Sequence, residues 1–233
     1  MQSYLQLFNV ALGMCVASAV FAALVTYPFQ KKRKETEEAL PAKEEGTQKQ
    51  IFGFEWSTLR PALILTVVYI AQTGIVSYLS VFAADFSLGN IGWFFTLNAI
   101  GTFASRTFSG WIVKRIDKRN LLRICILAMA GCFVYIGSIR TATALLVIAF
   151  PLGAVFGLVN VSLHTAIIDN TSKGKKGTAS AAYYASLDIG YGIGGILMSS
   201  VRDAAGAQFI YYAGAVLLMA ALGLYQKLFL SNG

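Results

Sequence analysis

Apolar residues run along this chain in blocks of about twenty, the length that spans a hydrocarbon core of ~30 Å, separated by short polar or charged turns. Seven blocks are long enough to cross a bilayer: Tyr4–Tyr27, Leu59–Phe82, Ile91–Val113, Leu121–Ile139, Ala142–Ile168, Gly177–Ser200 and Gln208–Leu230. Polar residues inside these blocks are not scattered. The second block carries Thr66, Tyr69, Thr73, Ser77 and Ser80, and the third Asn98, Thr102, Ser105, Arg106 and Ser109. The fifth carries Gly153, Gly157, Asn160 and His164, and the sixth Ser180, Tyr184, Asp188, Tyr191 and Gly195. Spacings of three and four put each set on one helical face. The fourth and seventh blocks are almost wholly apolar. After the first helix the pattern therefore reads as two triplets, each with two striped helices and one greasy one. That is what a shared aqueous cavity, lined by the striped helices and backed by lipid-facing ones, would produce.

Between residues 28 and 50 the composition changes to KKRKETEEALPAKEEGTQKQ, too charged to bury anything, which predicts a flexible linker. The expected organisation is an all-α, polytopic membrane protein of seven transmembrane helices. One helix occupies 1–27, a linker 28–58 and a six-helix domain 59–233. Phe52, Phe54 and Trp56 suggest an interfacial segment ahead of a helix capped by Ser57 or Thr58, with Pro61 in its first turn. A composition of 56% hydrophobic and 13% charged residues, with a mean hydropathy of +0.62, does not suit a soluble core.

The net charge of +8 follows alternate loops and is not read as a nucleic-acid surface. Lys31, Lys32, Arg33, Lys34, Lys43, Lys49, Arg60, Lys114, Arg115, Lys118, Arg119, Arg123, Lys173, Lys175, Lys176 and Lys227 fall on one side, and only Arg140 and Arg202 on the other. The positive-inside rule then places the N-terminus outside and the C-terminus in the cytoplasm, in the plasma membrane.

Asp188 is the residue this arrangement has to explain. Eleven residues of its block precede it and twelve follow, so it sits near the midplane, where a carboxylate costs about 2.5–3.5 kcal/mol and marks a transport or proton path. Arg106, about 6 Å nearer the cytoplasm at 1.5 Å per residue, is a candidate partner if the third and sixth helices are neighbours; snorkelling to the interface competes with that role. Tyr184 and Tyr191 share the Asp188 face and, with Tyr183, could stack on a flat or cationic solute. Asn98, Thr73 and Asn160 are candidate pathway residues. His164 could relay protons, although its place near a helix end also suits a structural histidine. Asp169 beside the basic loop suits an ion pair.

Several chemistries find no support. GKKGT at 174–178 lacks Walker spacing, and GYGIGG at 190–195 lies inside a span with no strand before it, where small-xxx-small packing is the better account. No nucleophile has a histidine and acid partner, and no ligand set suggests a metal or cofactor, so an enzyme is not expected. Cys15, Cys125 and Cys132 fall within spans without disulfide spacing.

The turn GWIVKRIDKRN, Gly110 to Asn120, resembles the loop motif of the major facilitator superfamily in its second-half copy. Gly110, Arg115, Lys118 and Arg119 match in type; Lys114 stands at the motif's Asp and Asp117 at its second Gly. RPALIL at the start of the second block and KKGTASAAYYASLDIGYGIGG in the sixth follow the family's C-terminal half in order. The resemblance covers essentially the whole chain, with the first block similar to the last helix of the N-terminal half. It implies part of a rocker-switch fold, a small-molecule substrate moved through the bilayer by an ion gradient, and either a missing N-terminal half or a second copy as partner. The glycine-rich sixth block, without the proline of the exporter motif, points toward proton-coupled efflux. A seven-helix receptor and a truncated, non-transporting half stay open as alternatives.

Overall fold

The computed structural model describes residues 50–51, 54–89, 91–115, 117–172 and 175–229, all within one compact unit that runs from Gln48 to Gly233. The first apolar block and the linker up to residue 49 lie outside the described residues. Six of the seven expected helices are therefore found. A two-residue antiparallel ladder comes first, β1 (Gln50–Ile51) against β2 (Phe54–Glu55). The helices are α1 (Trp56–Asp85), α2 (Gly92–Arg115), α3 (Lys118–Ser138), α4 (Ala142–Asp169), α5 (Lys176–Ala205) and α6 (Ala207–Phe229).

Helix α1 starts ahead of the expected Ser57 or Thr58 cap. Glu55 holds the cap position without capping, because its side chain turns to another loop. Pro61 is consequently the sixth helical residue, where it contributes no N–H to the ladder. At the α5–α6 turn Gly206 takes φ 103° and its N–H bonds the Arg202 carbonyl at 2.8 Å, a left-handed stop that lets α6 begin one residue later.

Contact registers fix how the helices run. Asn98 and Thr102 of α2 meet Ala149 and Gly153 of α4, in increasing order on both, so α2 and α4 are parallel. Thr66 and Tyr69 of α1 meet Gly190 of α5, and Tyr78 bonds the Gly195 carbonyl, so α1 and α5 are parallel as well. Tyr69 meets Asn160 while Thr58 meets Thr171, which makes α1 and α4 antiparallel. α6 runs against both α1 and α3, through Ile210 on Gly74 and Tyr212 on Ser138. Arg60, Arg115, Arg123, Lys175 and Lys227 thereby come to one end of the bundle and Arg140 and Arg202 to the other.

The two largest interfaces are α2 on α4 and α1 on α5, followed by α3 on α6, α1 on α6 and α3 on α4. Exchanging the first triplet with the second maps α2–α4 onto α5–α1 and α1–α6 onto α4–α3. The triplets expected from composition are thus matched in the packing. Glycine makes the parallel pairs close: a Cβ on Gly190 would lie 2.6 Å from the Tyr69 Cβ, and one on Gly157 would lie 3.0 Å from the Thr102 carbonyl oxygen. Behind them a shared apolar core forms from α1, α3 and α6, where Tyr211 packs edge-on to Phe82 at 5.0 Å and against Phe133 at 6.3 Å.

One expectation needs correction. All of these helices were expected to span the bilayer, yet four of them, α1, α3, α4 and α6, are long and apolar enough to cross a membrane among the described residues. α2 and α5 fall short of that measure, because Arg106, Asp188 and many small residues lie in them. The few polar groups of α1 and α4 are mostly consumed inside the bundle.

Candidate functional site

Three helices converge on one polar and aromatic cluster. Tyr69 leaves α1, Phe156, Asn160 and His164 leave α4, and Tyr183, Tyr184 and Tyr191 leave α5. Asn160 is 4% exposed and both ends of its amide are engaged: its Nδ2 donates to the Tyr69 hydroxyl, and its Oδ1 accepts from Tyr183 Oη at 2.9 Å. The amide is thereby locked in one orientation. Rings stack edge-to-face around it, Tyr69 on Tyr191 at 5.0 Å, Tyr69 on Phe156 at 5.8 Å, His164 on Tyr183 at 4.4 Å and Tyr183 on Tyr184 at 5.2 Å. The ladder ends in Tyr184, which is 63% exposed. A chain of aromatic faces thus leads from the interior of α1 to the open face of α5. One turn from Tyr69, Gln72 is 3% exposed and its Oε1 has no hydrogen-bond partner among the described residues.

Asp188 lies on that open face. It is exposed and forms no ion pair or hydrogen bond with any described residue. Arg106 on α2 is exposed too. The Arg106–Asp188 pair is not formed: α2 packs on α4 and α5 on α1, and α2 with α5 is not among the substantial interfaces of the bundle. Helical periodicity gave each residue a face but not a neighbour.

Asn98 and Thr73, expected along the pathway, lie at helix–helix contacts. Asn98 Nδ2 donates to the Ala149 carbonyl at 3.2 Å, Thr102 Oγ1 lies 3.0 Å from the Gly153 carbonyl, and Ser105 caps the same seam against Gly157. Thr73 Oγ1 donates back to the Tyr69 carbonyl at 3.0 Å and packs on Gly194. In an apolar medium the interhelical bonds of Asn98 and Thr102 hold α2 to α4 for about 0.6 kcal/mol each, whereas the Thr73 bond stays within α1. In the loop motif, Gly110 is an exposed position of α2 and the Arg115 guanidinium lies 4.3 Å over the Trp111 ring. Lys118 and Arg119 occupy the first turn of α3.

The basic end holds a charge that the sequence did not flag. Glu55 is 3% exposed and accepts from the Ser172 N–H at 3.1 Å, Ser172 Oγ at 2.9 Å and Lys175 Nζ at 3.4 Å. Its carboxyl is held below the ordinary carboxylate value, first by the Ser172 hydroxyl bond, against the opposing effect of burial. Thr58 Oγ1 and Thr171 Oγ1 lie 2.9 Å apart beside it. Nothing local in the sequence signals Glu55, whose partners are more than a hundred residues away. Tyr69 was visible as part of a stripe, and its four-residue spacing to Thr73 was the signal available. Among the described residues no cluster of His, Cys, Asp or Glu could hold a metal, and Cys125 and Cys132 are free thiols.

Residues 62–231, from the second turn of α1 to two residues past the end of α6, match the family model described as Major Facilitator Superfamily. No curated protein gives a significant match to the chain.

Proposed function

The chain belongs to the major facilitator superfamily of membrane transporters, and from that membership we propose that it forms one six-helix half of a secondary transporter that exports a small solute in exchange for protons across the plasma membrane. The observation that carries this reading is Asp188, exposed and without a partner among the described residues, on the same α5 face as Tyr184 and Tyr191 and continuous with the Tyr69–Asn160–Tyr183 network. A carboxylate without a partner among the described residues is costly against lipid, so in this reading it faces the translocation path, completed by the N-terminal half or by a second copy of the chain. In this reading the basic end is cytoplasmic.

Mechanistically, the aromatic ladder receives the solute and Asp188 carries the proton. Protonation cancels the charge on the α5 face, releases the groups paired with it in the assembled transporter, and shifts the balance between inward-open and outward-open states. The Tyr69–Asn160–Tyr183 ties keep α1, α4 and α5 in register while this happens.

The test uses the full-length transporter in vesicles loaded with an acidity-sensitive dye, challenged in turn with a panel of small solutes. Wild-type protein should move protons upon addition of its solute, and Asp188→Asn should not. Solute-driven proton movement of normal size in Asp188→Asn would remove Asp188 from the coupling path.

A further inference from the structure

The antiparallel helices α1 and α4 are tied at two levels. Tyr69–Asn160 forms one and Thr58–Thr171, just past the end of α4, the other, eleven residues away along each chain segment, or on the order of 16 Å at 1.5 Å per residue. The two ties differ in kind. At the first, Tyr69 and Asn160 are both 4% exposed, so water cannot readily replace a partner lost from their bond. At the second, Thr58 and Glu55 are buried, but Ser172 on the α4–α5 loop is exposed and the Lys175 side chain is 38% exposed, so water can take over the donors on the loop side once they are released.

Glu55 gathers that second tie into a single knot. It sits immediately before α1, while its donors follow α4 (Ser172) and precede α5 (Lys175), so one carboxylate fastens the ends of all three helices that carry the polar cluster. The first turns of α1 also lack one ladder bond, because Pro61 withholds an N–H. Ile167 lies between the two ties, on the α4 face that carries Asn160 and His164 and one turn before Thr171, and is fully buried.

We propose that the Glu55–Ser172–Lys175 contact, with Thr58–Thr171 beside it, is a releasable latch that closes the basic end of the α1–α4 seam and controls access from that side to the polar cluster. Opening swings the start of α1 away from the α4–α5 loop while the Tyr69–Asn160 tie acts as the hinge. The inference depends on the geometry of the bundle alone, not on the exporter reading.

A thiol-labelling experiment on the full chain needs no substrate and so separates the two. Ile167→Cys is exposed to a water-soluble maleimide in vesicles, and the site of modification is mapped by mass spectrometry, with the buried native Cys125 of α3 as an internal reference for general loosening. Adding Glu55→Gln, which keeps an acceptor for Ser172 but loses the charge, should speed labelling at position 167 by about tenfold. Glu55→Ala should speed it further and Lys175→Ala should resemble Glu55→Gln, with Cys125 unchanged throughout. Labelling at position 167 that is unaffected by Glu55→Ala would overturn the latch. A rise at position 167 matched by an equal rise at Cys125 would also overturn it, showing a bond that merely supports the fold.

Discussion

Replacing Tyr69 by Phe removes one oxygen and leaves the ring, so the edge-on contacts with Tyr191 and Phe156 survive while Asn160 Nδ2 loses its acceptor. Asn160 is 4% exposed and water has no ready route to it. An unpaired buried donor costs about 1–3 kcal/mol, and membrane hydrogen bonds reach about 1.7 kcal/mol at most, so Tyr69→Phe should destabilise by about 1–2 kcal/mol. Tyr183→Phe breaks the other bond, but Tyr183 is only half-buried and sits toward the open end of the ladder. Water can reach the vacated side more easily there, and a loss of about 0.5–1 kcal/mol is expected. Both bonds end on Asn160. In an Asn160→Leu background each Phe substitution should therefore lose most of its effect, with a coupling energy of about 1 kcal/mol between Tyr69 and Asn160. The assay is reversible unfolding in mixed micelles, followed by helicity, for each corner of the cycle. A coupling below about 0.3 kcal/mol, within ordinary additivity, would refute the network, as would a larger cost for Tyr183→Phe than for Tyr69→Phe.

Further outcomes follow from the same packing. Gly153→Ala sets a methyl group against the Asn98 backbone and should cost about 1–3 kcal/mol in thermal unfolding by forcing α2 from α4, whereas Gly192→Ala, with nothing within 4 Å, should be neutral or stabilising. At the opposite end from the basic loops, Arg140→Ala loses the 2.7 Å bond to Gln208 Oε1 and the stacking 4.4 Å over Phe86; it should cost about 1 kcal/mol, and Lys should restore little of it, because the planar fork makes both contacts. The lowered carboxyl of Glu55 means that its stabilisation is complete above the ordinary value of 4.5 and is lost only as pH falls through the lower folded-state value. Hydrogen-exchange protection of the Ser172 amide, corrected for intrinsic rate, should accordingly stay level from neutral pH down to that range and then decline. In Glu55→Ala it should be low at every pH.

The spans were legible because run length and apolarity are local properties, and the helices observed differ from the expected ones by only a few residues at each end, apart from the one beyond the described residues. Polar stripes were legible as stripes. What a stripe does depends on its partner: Asn98, Thr102 and Ser105 face glycines and carbonyls of α4 and serve as adhesive, while Asn160 faces two phenols and organises a network. A clue was present, since Gly153 and Gly157 repeat at the spacing of Asn98 and Thr102, small against polar. The Arg106–Asp188 expectation failed for a related reason. Opposite charges in two helices attract only if the helices touch, and adjacency is a property of the bundle, which the chain order does not reveal. Glu55 was invisible because a single acidic residue at a helix start has many ordinary roles; only the fold brings Ser172 and Lys175 to it.

The most direct test of the central claim, that Asp188 couples solute movement to protons, compares two fluxes of the same reconstituted full-length protein. Solute exchange at equal concentrations on both sides needs the path alone, while accumulation against a gradient needs coupling as well. Asp188→Asn is expected to retain exchange and lose proton-driven accumulation. Accumulation in Asp188→Asn with the pH dependence of the wild type would contradict the account.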